Sequence, residues 1–169
     1  MKGKEAVMMS IKSSEDPVIR FAKLSAELYY FLADALIENL GEEKGTAAIE
    51  ESLRNFAEKR VADMKKEAKE RGLPPDAPDT YLKVRDMPSN GWEHDSENPL
   101  LITQCPMFDI WRSFGEKGFA MGALYCEIDH ILFNGFGLVL NRSQCKTNGD
   151  QVCDFRVQLK EGQRADGER

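Results

Sequence analysis

Leu138-Val-Leu-Asn-Arg-Ser-Gln-Cys-Lys-Thr-Asn-Gly-Asp-Gln-Val-Cys-Asp-Phe-Arg-Val-Gln-Leu159 is the stretch that sets the fold class. Leu138 to Lys146 and Gln151 to Leu159 read as two strands. The turn between them holds Asn148-Gly149, a dipeptide that accepts the positive φ a tight hairpin turn needs. Side chains alternate along a strand. Cys153, Phe155, Val157 and Leu159 therefore share one face, and Asp154, Arg156 and Gln158 the other.

Upstream the pattern is mostly helical. Asp16-Pro17 reads as an N-cap followed by proline in the first turn. Val18, Phe21, Ala22, Leu24, Leu28, Phe31, Leu32, Ala35 and Leu36 recur at helical spacing, and Gly41 supplies the stop. This helix is apolar over much of its surface, which predicts two neighbours, one of them another subunit. A second helix runs from about Thr46 to Arg71, with Ile49, Leu53, Phe56, Arg60 and Met64 as its stripe. Gly72 and Pro74-Pro75 end it. Tyr81 to Arg85, Trp92 to His94 and Leu100 to Thr103 are strand candidates. Met107 to Lys117 and Phe119 to Phe133 are predicted helices, the first broken by Gly118 and the second by Gly135 and Gly137. The fold class is α+β: an N-terminal helical hairpin, an antiparallel sheet with packed helices, and a C-terminal β-hairpin. One domain covers 16–159, between a flexible N-terminus (1–15) and a charged tail (160–169).

The chain has 169 residues and a net charge of -6. An acidic chain without a long basic stretch is a poor nucleic-acid binder, because it neutralises few phosphates. No apolar run reaches the roughly 18–20 residues of a membrane span, and the N-terminus has no signal-peptide pattern. The expected setting is cytoplasmic, where the four cysteines are free thiols, metal ligands or catalytic groups.

Chemistry concentrates on Phe119 to Phe133. At about 100° per residue, Met121, Leu124, Tyr125, Ile128, Ile131 and Leu132 gather on one side. Gly122, Ala123, Cys126, Asp129 and His130 gather on the other, with Phe133. Cys126 and Asp129 are an i, i+3 pair, and Cys126 and His130 an i, i+4 pair. A carboxylate on a mostly apolar helix is costly without a donor or cation. Asp129 is thus either a structural acceptor, paired with Arg142 or Arg156, or a functional acid. Cys126 is a core thiol or a nucleophile, and His130 a satisfied rim histidine or a participant. Cys105 precedes Pro106 at a strand–helix junction, where a helix N-terminus favours thiolate; a buried small residue is the plainer reading. Cys145 and Cys153 flank the turn without the short spacing of a zinc knuckle. A zinc or other thiolate-bound metal would need Cys105, Cys126 and Cys153 together; the spacing alone gives no cofactor.

Thr103-Gln-Cys-Pro106, Leu124-Tyr-Cys-Glu-Ile-Asp129 and Asn148-Gly-Asp-Gln-Val-Cys-Asp-Phe155 together resemble the L-2-amino-thiazoline-4-carboxylic acid hydrolases, a bacterial family. A looser similarity extends to vinyl-reductase-type small-molecule-binding domains. The resemblance implies hydrolytic opening of a thiazoline ring in a small carboxylic acid. Cys126, Asp129 and Cys105 are the candidate catalytic residues, and Cys153, His130, Arg142 and Arg156 the candidate substrate contacts. The alternative is a non-catalytic small-molecule or metal sensor. The expected partners are a small-molecule substrate and a second subunit docked on the first helix, with no nucleic acid or membrane. Cys145 departs from the family pattern.

Overall fold

A computed structural model describes residues 15–161. The flexible N-terminus expected for 1–15 and the tail expected for 160–169 fall almost wholly outside them.

Asp16 caps the first helix, α1 (Pro17–Leu40), by accepting from the Val18 N–H at 2.7 Å, with Pro17 in the first turn. Gly41, at φ +81°, ends α1 and opens α2 (Glu42–Glu70) with no further linker. The two helices pack through small residues. Ala22, Ala26 and Ala33 of α1, and Ala57 and Ala68 of α2, are buried, and beside the turn the backbones approach so closely that a Cβ on Gly45 would lie 2.6 Å from Ile37 Cα. Ile49, Leu53, Arg60 and Met64 of the expected α2 stripe are buried, whereas Phe56 is exposed.

A short helix, α3 (Pro78–Val84), follows. It replaces the strand expected over Tyr81 to Arg85. Pro78 starts it, and Thr80 and Val84, one turn apart, are its buried positions. The Thr80 hydroxyl donates to the Pro74 carbonyl at 2.8 Å, which folds the proline-rich segment back onto the helix start.

Two strands then pair antiparallel, β1 (Glu93–His94) and β2 (Leu101–Gln104). Helix α4 (Pro106–Trp111) runs through a single 3-10 turn into α5 (Gly115–Cys126). The break falls at Gly115, at φ +64°, rather than at Gly118. Gly118 matters for another reason. A Cβ there would lie 1.8 Å from the Trp111 carbonyl oxygen, so α4 and α5 meet at a corner that admits only hydrogen. Trp111 fills the centre of the core. Its indole donates to the Ala26 carbonyl at 3.1 Å, and the Tyr29 hydroxyl donates to the Met121 carbonyl at 2.9 Å. These bonds join α1 to α4 and α5.

The expected continuous helix from Phe119 to Phe133 is split. α5 ends at Cys126 and α6 (Ile128–Asn134) begins after Glu127. The expected hairpin is present only at its base. β3 (Leu138–Asn141) pairs with β5 (Arg156–Leu159), Leu138 opposite Leu159 and Asn141 opposite Arg156. Between them the chain makes an excursion. Asp150 accepts the Cys145 N–H at 2.8 Å, a 3-10 turn covers Lys146–Asn148, and Gly149 is left-handed. β4 (Cys153–Asp154) then joins β2 instead of β3. Asn148-Gly149 is therefore a turn within a loop, not the tip of a two-residue hairpin. Asp154, expected on the strand face opposite Cys153, is fully buried; it accepts from Ser143 at 2.6 Å and from Arg156 at 2.9 Å. The chain is α+β, with a helical hairpin first and two small antiparallel sheets after it. No helix among the described residues is long and apolar enough to cross a membrane.

Candidate active site

The end of β2, the break between α5 and α6, and the β3–β5 excursion meet around a cavity of about 350 Å³. Cys105, Cys126, Cys153, Asp129 and Arg142 line it, together with Arg60 of α2. Tyr81, Trp92, Trp111, Tyr125, Phe133 and Phe155 contribute aromatic walls. A hollow of this size with apolar walls and a few convergent polar groups suits a small organic molecule. His130 and Arg156 stand elsewhere. His130 faces a separate surface hollow with Arg54, Glu58 and Asn134, and Arg156 is an exposed partner of Asp154.

The helix break makes the site. With α5 stopped at Cys126, the Cys126 carbonyl is free of the helical ladder and needs a donor. Arg142, on the loop leaving β3, supplies it: Nη2 donates to that carbonyl at 3.0 Å and to Glu127 at 3.2 Å. Nη1 donates to Asp129 Oδ2 at 3.0 Å. One guanidinium thus caps α5 and neutralises the first acid of α6, while Cys126 and Asp129 both face the cavity.

Asp129 keeps 28% of its side-chain surface open. Burial raises its pKa to about 6, and Arg142 holds it from rising further. A carboxyl tuned to that range exchanges protons near neutral pH. Burial likewise pushes the phenols of Tyr81 and Tyr125 up to about 12, so both are neutral walls.

The thiols fall into two groups. Cys105 stands alone at the start of α4. Burial pushes it up, outweighing the N–H groups of Phe108 and Met107 and the Trp92 side chain, which pull it down. The thiolate expected from the helix end alone does not follow, because α4 is short and the sulfur is desolvated. Cys153 donates to Cys145, their sulfurs 3.9 Å apart, and Cys126 stands near enough to Cys145 to be pushed up by it. Cys145 also meets the Thr147 hydroxyl at 3.1 Å. It is pulled down as the shared acceptor of Cys126 and Cys153, and those two are pushed up as its donors. Of the three thiols Cys145 is the one made easiest to ionise, and it is the one that does not line the cavity. Among the described residues, no group of three or more His, Cys, Asp or Glu is placed to hold a metal ion.

Arg60 lines the cavity although its sequence position marks it only as part of a helix stripe. It is only 9% exposed. Nε and Nη2 grip Asp86 at 2.8 and 2.7 Å, while Nη1 makes no hydrogen bond among the described residues. The available signal is an arginine where an apolar stripe calls for a hydrophobe.

The family model of the L-2-amino-thiazoline-4-carboxylic acid hydrolases matches residues 22–157, from α1 into β5, and so includes every residue of the cavity. The chain belongs to this family. The name of the aminothiazoline hydrolase family carries a hydrolytic activity on a small cyclic acid. The three segments that resemble it at the sequence level supply Cys105, Cys126, Asp129 and Cys153, all of them on the cavity wall. No curated protein and no solved structure matches the chain in the corresponding comparisons.

Proposed function

We propose that this protein opens the ring of a small cyclic amidine that bears a carboxylate, of the 2-aminothiazoline type, with Cys126 as nucleophile. The observation that carries the reading is the convergence of Cys126, Asp129 and the uncommitted edge of Arg60 on one aromatic-walled hollow. The substrate carboxylate is assigned to Arg60, whose planar fork suits it. The aromatic walls sandwich the ring.

In the proposed reaction Asp129, as carboxylate, takes the Cys126 proton as sulfur attacks the carbon between ring sulfur and ring nitrogen. The tetrahedral adduct expels the ring sulfur, which takes the proton from Asp129. Thiolate leaves in preference to amine because its conjugate acid is the stronger one. Water, deprotonated by Asp129, then attacks the same carbon. Cys126 departs and recovers its proton, leaving a carbamoylated amine and a free thiol on the product. No atom is lost and one water is consumed. The high pKa of Cys126 places its proton transfer within the chemical step, so the base is essential.

The test is incubation with L-2-amino-thiazoline-4-carboxylate, with mass-spectrometric detection of the ring-opened product. Rapid acid quench of the wild type is expected to show the intact chain carrying the substrate's mass, an adduct missing in Cys126→Ser together with the turnover. Arg60→Met is expected to raise KM far more than it lowers kcat. Full activity in both Cys126→Ser and Cys105→Ser ends the thiol mechanism.

A further inference from the structure

We infer that the outer face of α1 pairs with the same face of a second copy of this chain, the two helices running antiparallel. The residues of α1 that pack inside the protomer, Ala22, Ala26, Tyr30 and Ala33, occupy one side of the helix. On the opposite side Phe21 is 73% exposed, Leu28 62%, Leu32 59% and Phe31 56%, with Leu24 and Ala35 also exposed. Isolated exposed apolar residues need no explanation, but a contiguous set of this kind marks a contact surface. At roughly 150–250 Å² per aromatic side chain and somewhat less per leucine, the uncovered part comes to about 500 Å². A standard interface takes about 800 Å² from each partner, and the polar flanks Arg20, Ser25 and Glu38 make up the difference.

The spacing identifies the occupant. Positions 21, 24, 28, 31 and 35 alternate steps of three and four, the period of a seam between two helices. Bulk is distributed unevenly along it, with phenylalanine near one end and alanine at the other. Run antiparallel about Leu28, the seam sets Phe21 against Ala35 of the partner subunit and Phe31 against Ser25 of the partner subunit. Large then meets small at both places, and Leu24 meets Leu32 of the partner subunit. A parallel pair would stack phenylalanine on phenylalanine and leave alanine facing alanine. Charge agrees: Arg20 lies at one end of α1 and the 66% exposed Glu38 near the other, so antiparallel pairing brings opposite signs together; Asp34 is held within the protomer by Lys117 at 2.9 Å. The arrangement is isologous and closed, as a two-fold dimer requires.

The experiment is sedimentation equilibrium on the full chain, with cysteine cross-linking to fix the orientation. The wild type is expected at twice the chain mass, and Leu28→Glu at the monomer mass with an unchanged circular dichroism spectrum. Phe31→Lys provides a second exposed substitution with the same expected result. Under mild oxidation Leu28→Cys should link two copies, and Phe21→Cys alone should not. Phe21→Cys combined with Ala35→Cys should link them. A wild-type monomer across micromolar concentrations overturns the inference. So does efficient linking by Phe21→Cys alone, which would make the pair parallel. A monomer whose α1 amides lose exchange protection on removal of residues 1–14 would assign the face to that segment and overturn it equally.

Discussion

Replacing Arg142 by methionine tests the centre of the site, because one side chain serves two atoms on either side of the helix break. Methionine keeps most of the volume and removes the charge. At 3.0 Å from Asp129, the guanidinium contributes an attraction of about 5–6 kcal/mol at an effective dielectric constant of ~20. About 1.4 kcal/mol corresponds to one pH unit, so the bare figure is about four. Arg142 is 6% exposed and Asp129 28%, and the open cavity side screens part of the attraction. The expected rise in the Asp129 midpoint, from about 6 in the wild type, is therefore about one to two pH units. In the proposed reaction Asp129 works as a base, so activity falls as pH falls through its pKa, and in Arg142→Met this acidic limb of kcat/KM moves upward. The linkage has a definite sign. The folded pKa lies above that of an unfolded aspartate, near 3.9; the native state binds the proton first, and this group's contribution to stability rises as pH falls from above 6 towards 4. The substitution widens that window at its upper end. Carbon NMR of the Asp129 carboxyl reads the same midpoint without substrate. An acidic limb and an NMR midpoint both unmoved from wild type would refute the assigned pairing.

Other consequences are equally direct. Cys145→Ala removes the shared acceptor, so the Cys126 pKa falls towards the ordinary thiol range; alkylation of Cys126 by iodoacetamide at pH 8, followed by peptide mass spectrometry, should quicken several-fold. Gly122→Ala would bring a Cβ within 2.6 Å of the Trp111 ring and 2.8 Å of the Thr147 methyl; overpacking of this kind costs about 1–3 kcal/mol, measurable by urea denaturation. Trp111→Ala deletes the largest fully buried side chain and its bond to Ala26, and should lower stability by about 3–5 kcal/mol on the same assay.

The sequence is most legible where local chemistry and tertiary structure agree. Asp16-Pro17 and Gly41 bound α1 because capping geometry is decided within a few residues. β2 follows from its flanking prolines. The α3 segment misleads because Tyr81 to Arg85 alternates as a strand does, while burial of Thr80 and Val84 follows the helical period. The division between α5 and α6 has no local signal: its partner, Arg142, is supplied from beyond β3. The excursion carrying Cys145 is hidden by Asn148-Gly149, whose hairpin preference is real but subordinate to the Asp150–Cys145 bond and the pairing of β4 with β2. Cys105, Cys126, Asp129, Arg142 and Cys153 each stand out as candidates by residue type, yet their shared cavity depends on three long-range closures. Arg60 is legible only as an anomaly in an apolar stripe.

The hydrogen-only corner at Gly118 bears on how this protein can diverge. Its carbonyl neighbour belongs to the turn of chain that aims α5, and Cys126 is the far end of that rod, eight residues on. A saturation library should return a blank column at 118, wider than that of any cavity position, with losses that follow folded yield rather than turnover. A descendant bearing a side chain there must have re-aimed α5, and its thiol would point somewhere new.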